Sequence, residues 1–310
     1  MELMDDFLEY CSLVKKLDKK TIRAYKTDLQ QCIALIGDGA INQLTKEMIR
    51  KYIKDISHFQ HKTIKRKLAS LNAMLNYFEM DNEWFVNPMR RMNIHMREPV
   101  RLPVVMTIDE VRGLLNEAYK RSGTYKTGTC SYVKTIRDIA IVELLFASGM
   151  RVSELCNLKI KDVDIHEGRV RIVGKGNKER MIDLCQVETL KALANWLAVR
   201  EEYNKDSSFF CSRLNKQLST QSVRLLIRQL SQSLGIVKHI TPHTFRHTFA
   251  TLLLEEDVGI TYIQHFLGHS SITTTQIYTH VNMRKQREIL RNKHPRRHLP
   301  ECDGNYTKMA

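Results

Sequence analysis

Apolar residues recur at helical spacing along the first third of the chain. Four stripes with this spacing occupy residues 7–14, 22–36, 48–56 and 64–78, and recurrence at i, i+3 and i+4 is typical of amphipathic helices. Four such helices with short polar connections predict a small helical bundle over residues 1–97.

The segment after this bundle has no helical period. Residues 98–106 are basic and contain Pro99 and Pro103, and proline biases the residue before it toward an extended conformation. We therefore predict an interdomain linker at residues 98–106.

Both helical and strand periodicity appear beyond the linker. Thr107, with Glu110 three residues later, matches a capping box, and an almost wholly apolar helix ends at Gly149. Before that helix, the polar residues 121–135 predict a surface loop. Apolar and polar residues alternate over 168–184 around a glycine-rich centre, which predicts a β-hairpin.

These patterns predict a mainly α protein with a small β-sheet, an α+β fold with two domains. The second domain is expected at residues 107–292. Residues 293–310 are basic and too polar to form a core, so they predict a flexible tail.

The net charge of the chain indicates what kind of molecule it binds. A formal net charge of +15 at pH 7 predicts a partner with dense negative charge, with a merely solvated basic surface as the alternative. Seven cysteines without a CxxC pair favour reduced thiols in a cytoplasmic protein. No long apolar run is present, so we expect neither a signal peptide nor a membrane span.

The stretch 241–280 concentrates side chains that can do chemistry. Thr241 is placed to cap a helix that has Pro242 at its first position. His243 then lies in the first turn, and Arg246, three residues later, shares its face.

His269 and Tyr278 follow in the same stretch, and two candidates lie upstream. Imidazole, guanidinium and phenol groups together can hold a phosphate while a tyrosine attacks it. Arg151, directly after the buried helix, can belong to this site or form a surface pair with Glu154. Lys175, near the hairpin tip, can reach into a cleft or remain solvated.

A metal is not expected at these residues. His243 and His247 have the i, i+4 spacing of a metal pair, but no acidic third ligand is near them in sequence. His247 is expected to pack or to support the site. Without a metal or another cofactor, arginine and imidazole donors must neutralise the phosphate.

Basic residues on two helices of the first domain are candidate DNA contacts. They occupy the start of the second helix and the start of the fourth: Lys19, Lys20, Arg23, Lys62, Lys65 and Arg66. A solvated charged face is the alternative for each cluster.

The chain resembles the tyrosine recombinases of the phage-integrase superfamily, and is most similar to the Xer type. The resemblance is carried by SGMRVSELCNL at 148–158, VGKGNKER at 173–180, HTFRHTFAT at 243–251 and LGHSSITTTQIYTH at 267–280. LDKKTIRAYKTDLQQ at 17–31 is similar to the start of the family's SAM-like core-binding domain. The loop at 121–135 looks longer than in a minimal Xer protein.

The resemblance implies a role for each candidate in the reaction. Arg151 and Arg246 are the phosphate-binding arginines, Lys175 protonates the leaving 5′ oxygen, His243 is the general base, and Tyr278 is the nucleophile.

Two further residues complete the implied site. His269 hydrogen-bonds the scissile phosphate, and Glu154 matches a supporting acidic position with a structural role. His247 is not assigned by the resemblance and keeps the packing or supporting role expected from its position.

The resemblance also implies a reaction and an assembly. DNA is cut and rejoined through a 3′-phosphotyrosyl intermediate and a Holliday junction, without metal or ATP, for integration, excision, resolution or inversion. The partners are double-stranded DNA with a specific site and a homo-tetramer, or a hetero-tetramer with a paralogue. The alternatives are a type IB topoisomerase and a catalytically idle DNA-binding protein.

Overall fold

The chain folds into two units, and the structure describes most residues of each. The computed structural model of the protein describes residues 2–37, 43–92, 94, 103–174, 178–203, 207–213, 216–268 and 283–299. The chain divides into two units, Met1–Arg101 and Leu102–Ala310.

The first unit is helical. Asp18 accepts a hydrogen bond from the N–H of Lys20 (2.8 Å) and caps the second helix, and Thr45 accepts one from the N–H of Met48 (3.3 Å) and caps the third. The described helices of this unit are α1 (Glu2–Leu13), α2 (Lys19–Ile36), α3 (Lys46–Asp55), α4 (His61–Asp81) and a 3₁₀ helix (Pro88–Arg91).

Helices α2 and α4 pack side by side in opposite directions. Tyr25 of α2 stacks on Phe7, which also contacts Tyr77 near the end of α4, with ring centroids 5.8 and 5.7 Å apart. Further along α2, Gln31 accepts a hydrogen bond from Lys67, near the start of α4. The start of one helix therefore lies at the end of the other.

The second unit combines helices with a small sheet. The predicted fold class, mainly α with a small β-sheet, is confirmed. Its described elements are α5 (Ile108–Ser122), α6 (Cys130–Ser148), α7 (Val152–Asn157), a 3₁₀ helix (Ile160–Asp162), β1 (Val163–Asp164), β2 (Arg169–Val173), β3 (Glu179–Asp183), α8 (Val187–Tyr203), α9 (Thr220–Ser233), α10 (Pro242–Glu255), α11 (Ile260–Leu267), α12 (Met283–Lys293) and a 3₁₀ helix (Pro295–His298). Within the described ranges, the helices are all too short or too polar to span a bilayer.

Helix α6 is the centre of this unit because its C-terminal half is buried on every side. All of its residues from Asp138 to Ser148 are buried, against α5, α8 and α10. It ends at Gly149, whose φ of +57° is left-handed, and a Cβ there would lie 2.6 Å from Cδ1 of Phe249. Only glycine allows α10 to approach this close.

The sheet is an antiparallel meander in the order β1-β2-β3. The predicted hairpin over 168–184 is confirmed by the pairing of β2 with β3, in which Ile172 lies opposite Arg180. Gly174 donates its N–H to the carbonyl of Lys178 (2.8 Å), which closes the hairpin at its turn.

The surface loop predicted at 121–135 is wrong for much of its length. Helix α5 continues to Ser122 and α6 begins at Cys130, which leaves a connection of seven residues. The polar composition conceals a cap: Thr129 accepts the N–H of Tyr132 at 3.2 Å.

The flexible tail predicted from residue 293 is also wrong for its first part. His294, Pro295 and Arg296 are buried, and Leu299 belongs to the hydrophobic core. Residues 300–310 lie outside the described ranges.

A buried ion pair holds this C-terminal segment. Arg296, 1% exposed, donates to both carboxylate oxygens of Glu143 in α6, at 3.2 and 3.4 Å. Tyr119 and Thr189 donate their hydroxyls to the same carboxylate (3.0 and 3.1 Å). The network joins α5, α6, α8 and the C-terminal segment, and a buried pair with such partners avoids an uncompensated charge.

Candidate active site

Arg151 precedes α7 and is fixed by Glu154 at both ends of the residue. The Arg151 N–H donates to Oε2 of Glu154 and its Nη1 donates to Oε1, each at 2.8 Å. Glu154 is only 4% exposed, whereas the Arg151 side chain is 34% exposed. The pair is therefore not a solvated surface pair, although part of the Arg151 guanidinium remains exposed to solvent.

Glu154 has a second, more buried arginine partner in β3. Arg180 donates from Nη1 to Oε1 (3.1 Å) and from Nη2 to Oε2 (2.7 Å), and its Nε donates to the carbonyl of Phe266 (3.0 Å). Burial raises the pKa of the Glu154 carboxyl, but hydrogen bonds from Arg180 and Arg151 outweigh it, so the net pKa is lowered. Glu154 is therefore an ionised carboxylate between two guanidinium groups.

Arg246 reaches the same place from α10. Thr241 caps this helix by accepting the N–H of Thr244 (3.3 Å), with Pro242 at the first position, as predicted. Arg246 is buried, and its described hydrogen bonds go to the carbonyls of Gly149 (3.0 Å) and Leu267 (2.7 Å). Desolvation, followed by repulsion from Arg151, lowers the pKa of Arg246 to about 10.

The His243 side chain is exposed and lies one turn before Arg246 on α10. Its pKa is lowered by desolvation first, and then by the positive charges of His247, Arg246, Arg224 and Arg151. The ring is therefore favoured in its neutral form, which can accept a proton.

His247 does not have the packed environment expected for it. Its side chain is exposed, one turn beyond His243 on α10. When it is protonated, it lowers the pKa of His243 by charge repulsion. Its described influence on the site is electrostatic.

Three predicted catalytic residues, Lys175, His269 and Tyr278, lie outside the described residues. The main chain just before two of them is nevertheless placed. A Cβ on Gly174 would lie 3.5 Å from Oε1 of Glu154, and one on Gly268 would lie 2.9 Å from Nη1 of Arg180.

The described part of the site is a cluster of positive charge. Arg151, Arg180 and Arg246 surround one carboxylate, Glu154, which leaves two guanidinium charges in excess. Such a cluster suits a phosphate, since guanidinium groups bind phosphate oxygens in a fork. Within the part of the chain that the structure describes, no cluster of three His, Cys, Asp or Glu side chains forms a metal site.

The candidate DNA contacts of the first unit are all exposed. Arg66 also pairs with Asp28, a buried carboxylate of α2. Because α2 and α4 are antiparallel, the cluster of Lys19, Lys20 and Arg23 and the cluster around Arg66 lie toward opposite ends of the pair.

Arg180 is the site residue that the sequence did not single out. It stands within the motif VGKGNKER, two residues before the buried Ile182 on β3. Residues two apart on a strand share a face, so Arg180 is a charged residue at a core-facing position. That pattern was the available signal, because such a charge needs a partner.

Family models match both units. The phage integrase family model matches residues 105–285, and the model for the phage integrase N-terminal SAM-like domain matches residues 4–79.

Relatives match along nearly the whole chain. A tyrosine recombinase of Agathobacter rectalis is 45% identical over 300 residues, covering 95% of this chain and 96% of its own. Tyrosine recombinase XerC of Thermodesulfovibrio yellowstonii is 32% identical over 301 residues, covering 94% and 95%. The crystal structure of XerH bound to a palindromic difH substrate, a post-cleavage complex, has a TM-score of 0.68 at 22% identity and covers 92% of this chain and 83% of its own.

The structural likeness to XerH shows the fold, and the sequence relatives carry the assignment further. Two family models in the expected order, and relatives above 30% identity over almost the full length, leave no other class favoured. The chain therefore belongs to the phage integrase family, as a Xer-like tyrosine recombinase that cleaves and rejoins DNA in site-specific recombination.

Proposed function

We propose that Tyr278 cuts one DNA strand at a phosphate held by Arg151 and Arg246. The observation that carries this proposal is the convergence of the two arginines, 95 positions apart in sequence, on the surroundings of one buried carboxylate. Arg246 meets the carbonyl of Gly149, two residues before Arg151.

The proposed step is a transesterification in which one phosphate ester bond is formed and one is broken. The phenol oxygen of Tyr278 attacks phosphorus, and its proton passes to His243. A 3′-phosphotyrosyl bond forms as the bond to the 5′ oxygen breaks, and Lys175 protonates that oxygen. Rejoining is the reverse step, with the 5′ hydroxyl of the other strand as nucleophile.

The positive groups would stabilise the phosphorane formed on the way. Each well-placed donor is worth about 3 kcal/mol, by analogy with oxyanion holes. Arg151 and Arg246 would bind non-bridging oxygens, and His269 would donate a further hydrogen bond. The lowered pKa of His243 supports its role as base, since only the neutral ring accepts a proton.

We propose that the reaction needs neither metal nor ATP. One phosphodiester is exchanged for a phosphotyrosine ester of similar energy, so no external energy source is required. The guanidinium and imidazole donors supply the positive charge that a metal would otherwise provide.

The proposed partner is duplex DNA, bound by four protomers. The relative XerH was solved on a DNA substrate, and the net charge of +15 supports a polyanionic partner here. Recombination breaks four strands, two in each duplex, and one site of the proposed kind cuts one strand. Four copies, or two copies with two of a paralogue, therefore satisfy the stoichiometry.

The test of this function is covalent capture of DNA. A library of randomised duplexes with a central nick is incubated with the protein, and SDS-resistant complexes are recovered and sequenced. The enriched duplex then serves as substrate. We expect Tyr278→Phe to abolish the SDS-resistant complex while Kd changes by less than about threefold, since a single hydroxyl is removed.

Tyr262→Phe on α11 is the matched control, and it should retain capture. A Tyr278→Phe protein that still forms the complex would mean that another nucleophile acts. Efficient relaxation of arbitrary supercoiled plasmids would instead favour a topoisomerase.

A further inference from the structure

Arg180 is held on a strand but makes its hydrogen bonds to two other elements. Its guanidinium meets Glu154 in α7 with two nitrogens and the carbonyl of Phe266 in α11 with the third. At 9% side-chain exposure it has almost no surface to offer to DNA. Its influence on the reaction therefore has to pass through its neighbours.

Each neighbour belongs to a segment that carries a proposed catalytic group. Glu154 binds the main chain and side chain of Arg151. The strand of Arg180 forms one arm of the hairpin, Lys175 follows the other arm in sequence, and Gly174 lies against Glu154. Arg180 thus contacts, directly or through one carboxylate, both the arginine and the hairpin.

The third contact is at the end of α11. Arg180 binds the carbonyl of Phe266, and Arg246 binds the carbonyl of the next residue, Leu267. Gly268 follows with φ of +63°, and a Cβ there would come within 2.9 Å of the Arg180 guanidinium. Arg180 therefore packs closely against Gly268, the residue that precedes His269 in sequence.

We propose that Arg180 is a positioning residue of the recombinase site, which aligns Arg151, the hairpin arm and the α11 end for strand cleavage. The inference rests on the proposed function, because alignment matters only if these residues act on one phosphate. A planar guanidinium is required, since a lysine ammonium cannot bind a carboxylate in a fork and a carbonyl at once.

The test compares Arg180→Lys with Arg171→Lys. Arg171, on the neighbouring strand β2, is held by Asp162 (2.5 and 3.0 Å), a buried carboxylate whose described hydrogen bonds involve none of Arg151, His243 and Arg246. Both changes keep the charge and remove one strand guanidinium from a carboxylate. Binding and covalent capture are measured separately, on the duplex recovered from the randomised library, with saturating protein.

We expect Arg180→Lys to slow capture by about 10–100-fold, the scale of a small misplacement of reacting groups. Its Kd should stay within about threefold of the starting protein, and Arg171→Lys should leave both quantities within that range. Arg180→Lys that captures DNA at the starting rate would overturn the inference.

A double-mutant cycle with Arg151→Lys tests the route of the effect. If Arg180 acts mainly through Arg151, then adding Arg180→Lys to Arg151→Lys costs much less than it does alone, because coupled residues are not additive. An undiminished loss in that background would contradict the alignment of Arg151.

Gly268→Ala offers an approach from the other side of the contact. It should reproduce the slow capture with unchanged binding, because its Cβ displaces the Arg180 guanidinium. A normal rate in this variant would contradict the proposed fit. If the starting protein itself captures no DNA, or Tyr278→Phe still does, it is the proposed function that fails.

Discussion

His243 is surrounded by positive charges from two helices and from the residue that precedes a third. Arg151 precedes α7, Arg224 lies on α9, and Arg246 and His247 share α10 with it. After desolvation, these charges lower the pKa of the imidazole, because a second positive charge is unfavourable beside them. The neutral form of His243, which can accept a proton as the proposed base, is thus favoured at neutral pH.

Arg224→Gln is therefore expected to change the pH dependence of cleavage. Removing this charge raises the pKa of His243, so the acidic limb of the pH–rate profile moves to higher pH, whereas the plateau rate changes little. The measurement is the capture rate of bound duplex between pH 5 and 8. Arg228→Gln, one turn further along α9, is the control and should leave the limb in place. A limb that moves to lower pH would contradict this account.

At the scale of single residues, the sequence indicates which side chains belong to the site better than it indicates which partners they bind. Arg151 and Glu154 were recognised together, but only burial decides between a surface pair and a held arginine. Arg180 was missed because its partners are 26 and 86 positions away. Local sequence patterns do not reveal partners this far apart along the chain. The roles of Lys175, His269 and Tyr278 remain predictions.

At the scale of elements, local chemistry predicted the helix ends well. Thr107, Thr241 and Gly149 cap the helices as expected. The start of α6 was misassigned because its first turn is polar. The C-terminal segment was misassigned because its burial depends on Glu143, far away in α6.

His294 gives the C-terminal segment a pH-dependent stability. Its ring is buried, with Nε2 donating to the carbonyl of Ala147 (3.2 Å) and Nδ1 accepting the N–H of Arg296 (3.0 Å). The neutral ring satisfies both partners, whereas a protonated ring loses its acceptor. Burial accordingly lowers the pKa of His294 from 6.5 to about 4.

The expected result is a loss of stability as pH falls. The unfolded chain binds a proton at His294 below about pH 6.5, and the folded chain only near pH 4. Stability is therefore full above pH 6.5 and falls by about 3 kcal/mol by pH 4, at 1.36 kcal/mol per pKa unit. Urea unfolding at several pH values, followed by fluorescence of the buried Trp196, measures this loss.

Two variants isolate the contribution of this ring from that of the carboxylates. His294→Gln keeps a neutral donor and acceptor, so its unfolding free energy should depend less on pH by about the same 3 kcal/mol. His298→Gln, at an exposed position, should follow the starting protein. Equal pH dependence in all three proteins would exclude His294 as the source.

At the scale of the whole molecule, the net charge of +15 governs the proposed binding to DNA. Each phosphate neutralised by a basic residue releases counterions, with a log–log salt slope of about −0.9 per contact. The charge pattern was readable in the sequence, whereas the placement of the two basic clusters at opposite ends of α2 and α4 depends on how the helices pack.

Replacing Lys19, Lys20 and Arg23 by glutamine should make the salt slope shallower by about 3, if all three contact phosphates. Kd is measured by fluorescence anisotropy on the recovered duplex at several salt concentrations. The control replaces Arg50, Lys51 and Lys54, three exposed basic residues of α3, and should leave the slope nearly unchanged. Equal changes in both variants would mean that only net charge matters.

The ion pair between Glu143 and Arg296 also sets an order of events during translation. The two residues are 153 positions apart, so Glu143 is synthesised long before Arg296. Burying Glu143 without that partner would cost about 3–5 kcal/mol. The core around α6 is therefore expected to reach its full stability only after Arg296 has been synthesised, later than Arg151, His243 and Arg246.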